Sequence, residues 1–207
     1  MELANIFCVG RNYVNHAKEL HNAIPQEPMI FTKPTHAAVW MNGGAIALPG
    51  AQGAIHYEGE LVLHIGKDYA PGLGADDLVD QMALGIDFTL RDVQDLLKKK
   101  GYPWLAAKGF LNSAALTEFI PFPGLSACTE KYFSLKQNGK ECQRGRIGAM
   151  IFPPDQLLVF CAEHYGLKAG DILFTGTPAG VGPVAAGDRF DLLWDDASLG
   201  TCTIELN

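Results

Sequence analysis

The sequence lacks several features that mark common classes of protein. It contains no apolar run close to the roughly 20 residues that cross a bilayer, no CxxC pair and no secretory signal. Its five cysteines are an odd number and widely spaced, which is typical of reduced thiols in the cytosol. We therefore expect a cytoplasmic protein that does not bind to a membrane.

Positive charge is also scarce. The chain has 16 Lys and Arg against 23 Asp and Glu, a net charge of -7, which is the wrong sign for binding a polyphosphate. We expect no nucleic-acid partner.

Hydrophobic residues make up 48% and charged residues 19%, so the chain can bury a sizeable core. At 207 residues it suits one domain over residues 1–207.

Short apolar runs separated by Gly and Pro dominate the chain, and they predict strands more often than helices. Asn138-Gly139 is a strong hairpin signal, because both residues tolerate positive φ. We expect a mainly β fold with a few short helices, of the α+β class. Strands are predicted for residues 6–9, 29–31, 61–65, 172–174, 190–194 and 201–206, and helices for residues 13–20, 90–100 and 155–165.

The helix predicted for residues 90–100 has the clearest end signals. Thr89 is placed as its N-cap, and Gly101 follows its last residue. Lys98, Lys99 and Lys100 fall at the negative end of the helix dipole. We therefore interpret these lysines as a helix terminus and not as a binding patch.

Two glutamates open one of the predicted strands. Glu58 and Glu60 are two residues apart, so both point to one face, and apolar residues follow at once. Two carboxylates buried this close need a cation between them or a proton on one. A single E-x-E pair, however, is more often a wetted strand face. A third carboxylate, Asp87, closes the apolar run 82–86, where a strand end would present it to a cleft.

Three carboxylates make an all-oxygen set of metal ligands. Such a set suits Mg²⁺ or Mn²⁺ better than a softer metal. His56 and His64 share strand parity with the glutamates, which leaves open a mixed site with imidazole ligands. The sequence therefore predicts a hard divalent cation, with the histidine site as the alternative.

Further segments carry groups that could act on a substrate. His16 and Glu19 share one face of a predicted helix, so the carboxylate could orient a general base, although spacing alone favours a solvated pair. The segment 175–182 offers backbone N–H groups to an anion but lacks the ending of a P-loop, and a structural turn is equally compatible. Lys108 lies in a small apolar setting that suits a partly buried ammonium.

Taken in order, these segments resemble the fumarylacetoacetate hydrolase family, and within it the small acylpyruvate hydrolase and oxaloacetate decarboxylase members. The similarity runs through most of the chain, and collinear blocks are far more specific than any single motif. The matching blocks are residues 9–13 with His16 and Glu19, residues 28–34, Glu58-x-Glu60, residues 87–94, residues 99–104, Lys108 and residues 170–184.

The resemblance implies a role for each matching residue. By analogy with the family, one Mg²⁺ or Mn²⁺ per subunit is held by Glu58, Glu60 and Asp87. The implied catalytic residues are His16, Glu19, Gln94 and Lys108, and the implied substrate-binding residues are Arg11, Arg91, Gly176 and Thr177. The resemblance also implies a mixed β-roll or sandwich and a homodimer, and we expect a lid over residues 12–27.

The resemblance leaves the reaction open. The His16 and Glu19 pair favours a hydrolase that cleaves the C–C bond of a small 2,4-dioxo acid, an acylpyruvate or fumarylpyruvate, and releases pyruvate. The same site could decarboxylate oxaloacetate, or isomerise or tautomerise a 2-oxo acid. A non-catalytic domain that binds a metal or a dicarboxylate is also compatible with the sequence, as is a cupin-like barrel that holds Zn²⁺ or Fe²⁺ through His56, His64 and a glutamate.

Overall fold

Strands form most of the regular structure in the computed structural model, which describes residues 3–19 and 23–207. The predicted class, mainly β with short helices, is confirmed. The strands are β1 (Ile6–Gly10), β2 (Met29–Lys33), β3 (Ala38–Trp40), β4 (Asn42–Leu48), β5 (Ile55–Tyr57), β6 (Gly59–Ile65), β7 (Val79–Asp87), β8 (Thr89–Leu90), β9 (Ala114–Leu116), β10 (Ile120–Pro121), β11 (Phe133–Gln137), β12 (Lys140–Gly145), β13 (Ile172–Phe174), β14 (Gly182–Pro183), β15 (Arg189–Trp194) and β16 (Ala197–Leu206).

The helices are short and lie between groups of strands. Within the described residues, none is long and apolar enough to cross a membrane. The α-helices are α1 (Val14–Glu19), α2 (Ala75–Leu78), α3 (Arg91–Lys100), α4 (Leu105–Lys108), α5 (Leu125–Cys128) and α6 (Pro154–Tyr165), and single 3₁₀ turns occur at Thr35–Ala37, Gly50–Gln52 and Ile147–Ala149.

The three predicted helices correspond to α1, α3 and α6. Residue 20, the predicted end of the first helix, lies outside the described residues, as do residues 21 and 22. The lid expected over residues 12–27 includes these three positions, so it stays a prediction.

The predicted N-cap of α3 is wrong. The helix begins at Arg91, Leu90 is the capping position, and no side chain caps it. Thr89 lies in β8, where it pairs with His56 of β5, and its hydroxyl accepts a hydrogen bond from Lys108 Nζ at 2.6 Å. Thr89 is therefore part of a strand pair, although the local sequence assigns it to the start of the helix. The C-terminal signal is confirmed, because Gly101 adopts a left-handed conformation with φ 66°.

In the described residues the strands form three sheets, of which the two larger ones mix parallel and antiparallel pairs and the third is antiparallel. The largest runs β2-β1-β13-β6-β7-β9-β3, with β10 paired to β7; the second runs β12-β11-β15-β16-β4; the third runs β14-β5-β8. Strands β1 and β13, β3 and β9, and β4 and β16 are parallel. The predicted hairpin joins β11 to β12, with positive φ at both Asn138 and Gly139.

The centre of the largest sheet is buried on both faces. In β1, Phe7 and Val9 belong to the main core, whereas Ile6 and Cys8 belong to a second apolar cluster. The same alternation occurs in β6 and β13. Burial on both faces explains why these strands appear in the sequence as continuous apolar runs rather than as alternating patterns.

The antiparallel register of β6 and β7 brings the acidic residues together. Glu60 is paired with Gly85, and Gly59 with Ile86, while the backbone N–H of Asp87 donates to the carbonyl of Glu58 at 2.8 Å. Glu58 and Asp87 are thus neighbours across the ladder, and Glu60 lies diagonally on the same face. The end of one strand and the start of another therefore form the site together.

A buried asparagine ties three distant segments together near this edge of the sheet. The side-chain amide of Asn12 donates to the carbonyls of Phe152 and Thr175, at 3.0 and 2.8 Å. Its side-chain oxygen accepts the backbone N–H of Phe152 at 2.8 Å. These bonds replace the water contacts that the three buried backbone groups would otherwise need.

We predict that Asn12→Ala lowers the free energy of unfolding by about 2–4 kcal/mol, because it leaves buried donors and acceptors without partners. The matched control is Asn15→Ala, since Asn15 is exposed on α1 and its change should have an effect within about 0.5 kcal/mol. Urea unfolding followed by tryptophan fluorescence measures both. Equal stability of the two variants would show that Asn12 does not hold these segments.

Candidate functional site

Three buried carboxylates form the centre of the site. Each of Glu58, Glu60 and Asp87 offers an oxygen within 4.8 Å of the oxygens of the other two, and all three residues are buried. Glu58 lies between β5 and β6, Glu60 is in β6, and Asp87 ends β7. The structure therefore brings together the three residues that the sequence predicts as metal ligands.

Two buried lysines neutralise part of this charge. Lys108, at the end of α4, places Nζ 2.7 Å from Glu58 Oε2 and 2.5 Å from Asp87 Oδ2. Burial lowers the pKa of Lys108, but Asp87 and Glu58 more than offset burial and raise it above its ordinary value. Lys33, in β2, lies 2.7 Å from Asp87 Oδ1 and 3.1 Å from the hydroxyl of Ser113. Lys108 therefore remains charged against the acidic cluster, and Lys33 forms a second buried ion pair with Asp87.

An arginine completes the positive side of the cluster. Arg91, the first residue of α3, contacts Glu58 Oε1 through one guanidinium nitrogen and donates to Gln94 Oε1 at 2.7 Å through another. Burial raises the pKa of Glu58, but the charges of Lys108 and Arg91 outweigh burial and hold it well below its ordinary value. Glu58 is consequently ionised.

Glu60 has a different environment. Its Oε2 accepts the backbone N–H of Gly176 at 2.7 Å, and within residues 3–19 and 23–207 no Lys, Arg or His side chain forms an ion pair with it. Burial, with the charges of Asp87 and Glu58, raises the pKa of Glu60 well above its ordinary value. A divalent cation among the three carboxylates would favour its ionised form, so this oxygen donor set fits a hard metal such as Mg²⁺ or Mn²⁺.

A cleft opens beside the three carboxylates, and Glu58 and Glu60 are among its lining residues. Its lining includes four basic side chains, Arg11, Arg91, Lys98 and Lys108, together with His16, Gln94 and Thr177. The rings of Phe31 and Trp104 form its apolar wall, with centroids 5.7 Å apart. The cleft is therefore small and positively charged around an acidic floor, which suits a small anionic ligand.

The structure brings His16 and Glu19 together, but without a hydrogen bond. His16 Nδ1 lies 3.6 Å from Glu19 Oε2 and has no hydrogen-bond partner among the described residues, although it is buried. The Glu19 carboxylate accepts the backbone N–H of Gly180 instead, at 3.1 and 3.2 Å. Burial is the main reason that the pKa of His16 is lowered; the charge of Glu58 raises this pKa and the charge of Arg91 lowers it further. A neutral imidazole therefore faces the cleft.

The glycine-rich loop, residues 175–182, supports the acidic floor of the cleft, which is formed by Glu58, Glu60 and Asp87. The N–H of Gly176, predicted to bind the substrate, is directed at Glu60. Thr177 donates its hydroxyl proton to the carbonyl of Gly59 at 2.9 Å and accepts a bond from the buried side chain of Gln143 at 2.7 Å. Gln143 also accepts the N–H of Gly59 at 2.8 Å. This network holds the start of β6 in place, and the Thr177 side chain still lines the cleft.

Arg11 has an uncommon backbone conformation, with φ 59°. Within the part of the chain that the structure describes, its Nε is buried without a hydrogen-bond partner, as is Nε of Arg91. Unsatisfied buried donors are rare in folded proteins, and strained residues cluster at functional sites. Both arginines line the cleft, so they can donate to an anion there.

Sequence reasoning misses two basic residues of the site. Lys33 lies in one of the matching blocks, but the only signal for a role is a lysine at the end of an apolar strand. The sequence places Lys98 at a helix terminus, and it does lie in the last turn of α3. The structure adds that Lys98 lines the cleft, whereas Lys99 and Lys100 are exposed.

The structure does not bring together the alternative histidine site. Among the described residues, the potential metal-binding group contains neither His56 nor His64. Nδ1 of His64 lies 2.6 Å from Asp80 Oδ1, and the imidazole packs edge-on against Phe119. The cupin-like interpretation is therefore wrong, since its ligands are separated by the fold.

Comparison with known proteins agrees with this geometry. The family model described as fumarylacetoacetate (FAA) hydrolase, C-terminal, matches residues 5–206. The oxaloacetate tautomerase YcgM of Escherichia coli K12 is 37% identical over 202 residues, which cover 96% of this chain and 92% of that protein. The mitochondrial oxaloacetate tautomerase FAHD1 of Homo sapiens is 39% identical over 189 residues, which cover 90% and 85%.

Solved structures show the same fold. A fumarylpyruvate hydrolase from Pseudomonas aeruginosa, in complex with Mn²⁺ and pyruvate, superimposes with a TM-score of 0.91 at 32% identity, over 99% of this chain and 91% of that chain. A putative fumarylacetoacetate isomerase/hydrolase from Oleispira antarctica gives 0.89 at 40% identity, over 98% and 94%. Because the family model and these relatives each span most of the chain, the protein belongs to the fumarylacetoacetate hydrolase family.

Proposed function

We propose that this chain catalyses the metal-dependent keto–enol tautomerisation of oxaloacetate. The observation that carries the proposal is the balance of charge in the buried cluster beside the cleft. The carboxylates of Glu58, Glu60 and Asp87 are matched by three positive side chains, those of Lys33, Arg91 and Lys108. A bound divalent cation then gives an excess of positive charge, which a small dianion complements.

The relatives support the same choice. Two curated proteins that are 37% and 39% identical to this chain are named oxaloacetate tautomerases. Tautomerisation moves one proton from C3 of the substrate to the C2 oxygen, and it consumes no water. Of the reactions that the sequence leaves open, we therefore propose tautomerisation as the first candidate and hydrolysis as the second.

The metal, Mg²⁺ or Mn²⁺, would be held by Glu58, Glu60 and Asp87, and would supply Lewis-acid polarisation of the 2-oxo group. His16 is the proposed base, because its neutral imidazole faces the cleft and can take the C3 proton. Lys108 keeps an ammonium beside the acidic floor and stabilises negative charge on the oxygen. Gln94, Arg91, Arg11 and Thr177 are proposed to orient the substrate.

Hydrolysis of an acylpyruvate or fumarylpyruvate is the second candidate. It is supported by the likeness to the fumarylpyruvate hydrolase with Mn²⁺ and pyruvate. The 3.6 Å approach of Glu19 to His16 also favours it, because a small shift would let the carboxylate orient the imidazole towards a water molecule.

The test of function compares three reactions of the purified protein, with Mg²⁺, with Mn²⁺ and with EDTA. Loss of the ultraviolet absorbance of enol-oxaloacetate measures tautomerisation in the enol-to-keto direction, the reverse of the same step, and pyruvate release measures decarboxylation of oxaloacetate or hydrolysis of acetylpyruvate and fumarylpyruvate. We expect the highest kcat/KM for tautomerisation and none without metal. A higher value for hydrolysis would favour the second candidate, and no turnover of any substrate would indicate a binding domain.

We predict that Glu60→Gln weakens the binding of Mn²⁺ by at least about 100-fold, since substitutions one shell further from a metal already cost roughly 10–100-fold. Isothermal titration calorimetry measures this binding independently of turnover. Glu205→Gln removes the same charge from an exposed position in β16 and should leave the affinity unchanged. Tight binding by Glu60→Gln would remove Glu60 from the ligand set.

We predict that His16→Asn lowers kcat for tautomerisation by about 10²–10⁴-fold, the usual contribution of a general base, while Mn²⁺ affinity stays the same. His36→Asn is the control, because His36 is exposed. Glu19→Gln separates the two reactions: a large loss of hydrolysis with little loss of tautomerisation would mean that Glu19 acts only when water is activated. Full tautomerase activity in His16→Asn would exclude His16 as the base.

A further inference from the structure

Helix α3 places three polar side chains in a row along the cleft. Arg91, Gln94 and Lys98 are separated by three and four residues, so they share one face of the helix, and all three line the cleft. Arg91 contacts the acidic floor through Glu58. Seven residues of helix advance about 10 Å along its axis, so Lys98 lies at the end of the row away from the proposed metal.

The ammonium of Lys98 is partly buried, but its only ion pair among the described residues is a weak one. Its Nζ lies 3.8 Å from Asp95 Oδ1, and the Asp95 side chain is 56% exposed, so the pair contributes little. The side chain of Lys98 is only 25% exposed and passes over the ring of Trp104, with Nζ 5.6 Å from the centroid. Burial and the nearby charge of Arg91 lower the pKa of Lys98. An anion at this end of the cleft would offset both the burial of Lys98 and the repulsion by Arg91.

We propose that Lys98 is a specificity-determining residue that contacts the distal carboxylate of the substrate and so selects dicarboxylates over monocarboxylates. The inference rests on the proposed function, in which the 2-oxo acid end of the substrate lies at the three acidic residues. The other carboxylate then points along α3, where Lys98 and Arg11 line the cleft.

The two lysines that follow provide internal controls. Lys99 and Lys100 belong to the same helix end and interact with the same dipole, but both are exposed. A role of Lys98 limited to the helix terminus would be shared by Lys99, whereas a role in the cleft would not.

The experiment measures binding of L-malate and L-lactate to the Mg²⁺-loaded protein by calorimetry. Both probes carry a 2-hydroxycarboxylate group and neither reacts, and only malate has a distal carboxylate. We expect wild type to bind malate at least about tenfold more tightly than lactate, as for one charge-assisted contact. Lys98→Met should weaken malate by about the same factor and leave lactate within about twofold. Lys98→Arg should keep most of the preference, and Lys99→Met all of it.

Kinetics supply a second readout. In Lys98→Met the KM for oxaloacetate should rise about tenfold with kcat nearly unchanged, because the contact lies away from the reacting atoms. Equal weakening of malate and lactate would show a structural role and overturn the inference, as would a wild type that does not prefer malate. A wild type that prefers malate through Lys98 but does not tautomerise oxaloacetate would overturn the proposed function alone.

Discussion

The cluster of buried charges at the end of β7 is the interaction on which the rest of the site depends. Three carboxylates that are each nearly inaccessible to solvent would repel one another strongly without compensation. Compensation comes from distant parts of the chain: Lys33 from β2, Arg91 from α3 and Lys108 from α4. The burial of the three acidic residues is therefore compensated only when these distant segments have come together.

This arrangement also prepares the cleft for its ligands. The positive side chains contact Glu58 and Asp87, whereas Glu60 has only the N–H of Gly176 among its described polar contacts. A hard cation then finds oxygens held by the fold, with nearby positive charges already positioned for an anionic substrate. The same ion pairs stabilise the fold and set the charge of the cleft. The positive residues are therefore not interchangeable. Lys108 forms ion pairs within the cluster, whereas Lys98 lines the cleft and can contact a ligand.

Much of the fold can be predicted from the sequence because local signals specify it, as for the strand 172–174 and the Asn138-Gly139 hairpin. The proposed metal ligands are predicted by the order of several matching blocks, since a single E-x-E pair is more often a wetted strand face. Lys33 cannot be assigned from local signals, because its partner Asp87 lies far along the sequence. Lys98 cannot be assigned either, because most of the other residues that line the cleft come from distant strands and helices. Thr89 is misplaced because pairing of β8 with β5 overrides a local capping preference. The homodimer, the cytoplasmic location and the single domain over residues 1–207 stay predictions.

The position of the proposed base is linked to the three buried carboxylates through one loop, residues 175–180. Glu19, on the same helix as His16, accepts the N–H of Gly180, and Gly176, four residues earlier, donates to Glu60. Asn12, just before this helix, binds the carbonyl of Thr175 at the start of the loop. A movement of α1 would thus be resisted at both ends of the loop. The proposed base and the proposed metal ligands therefore share a support in the described structure.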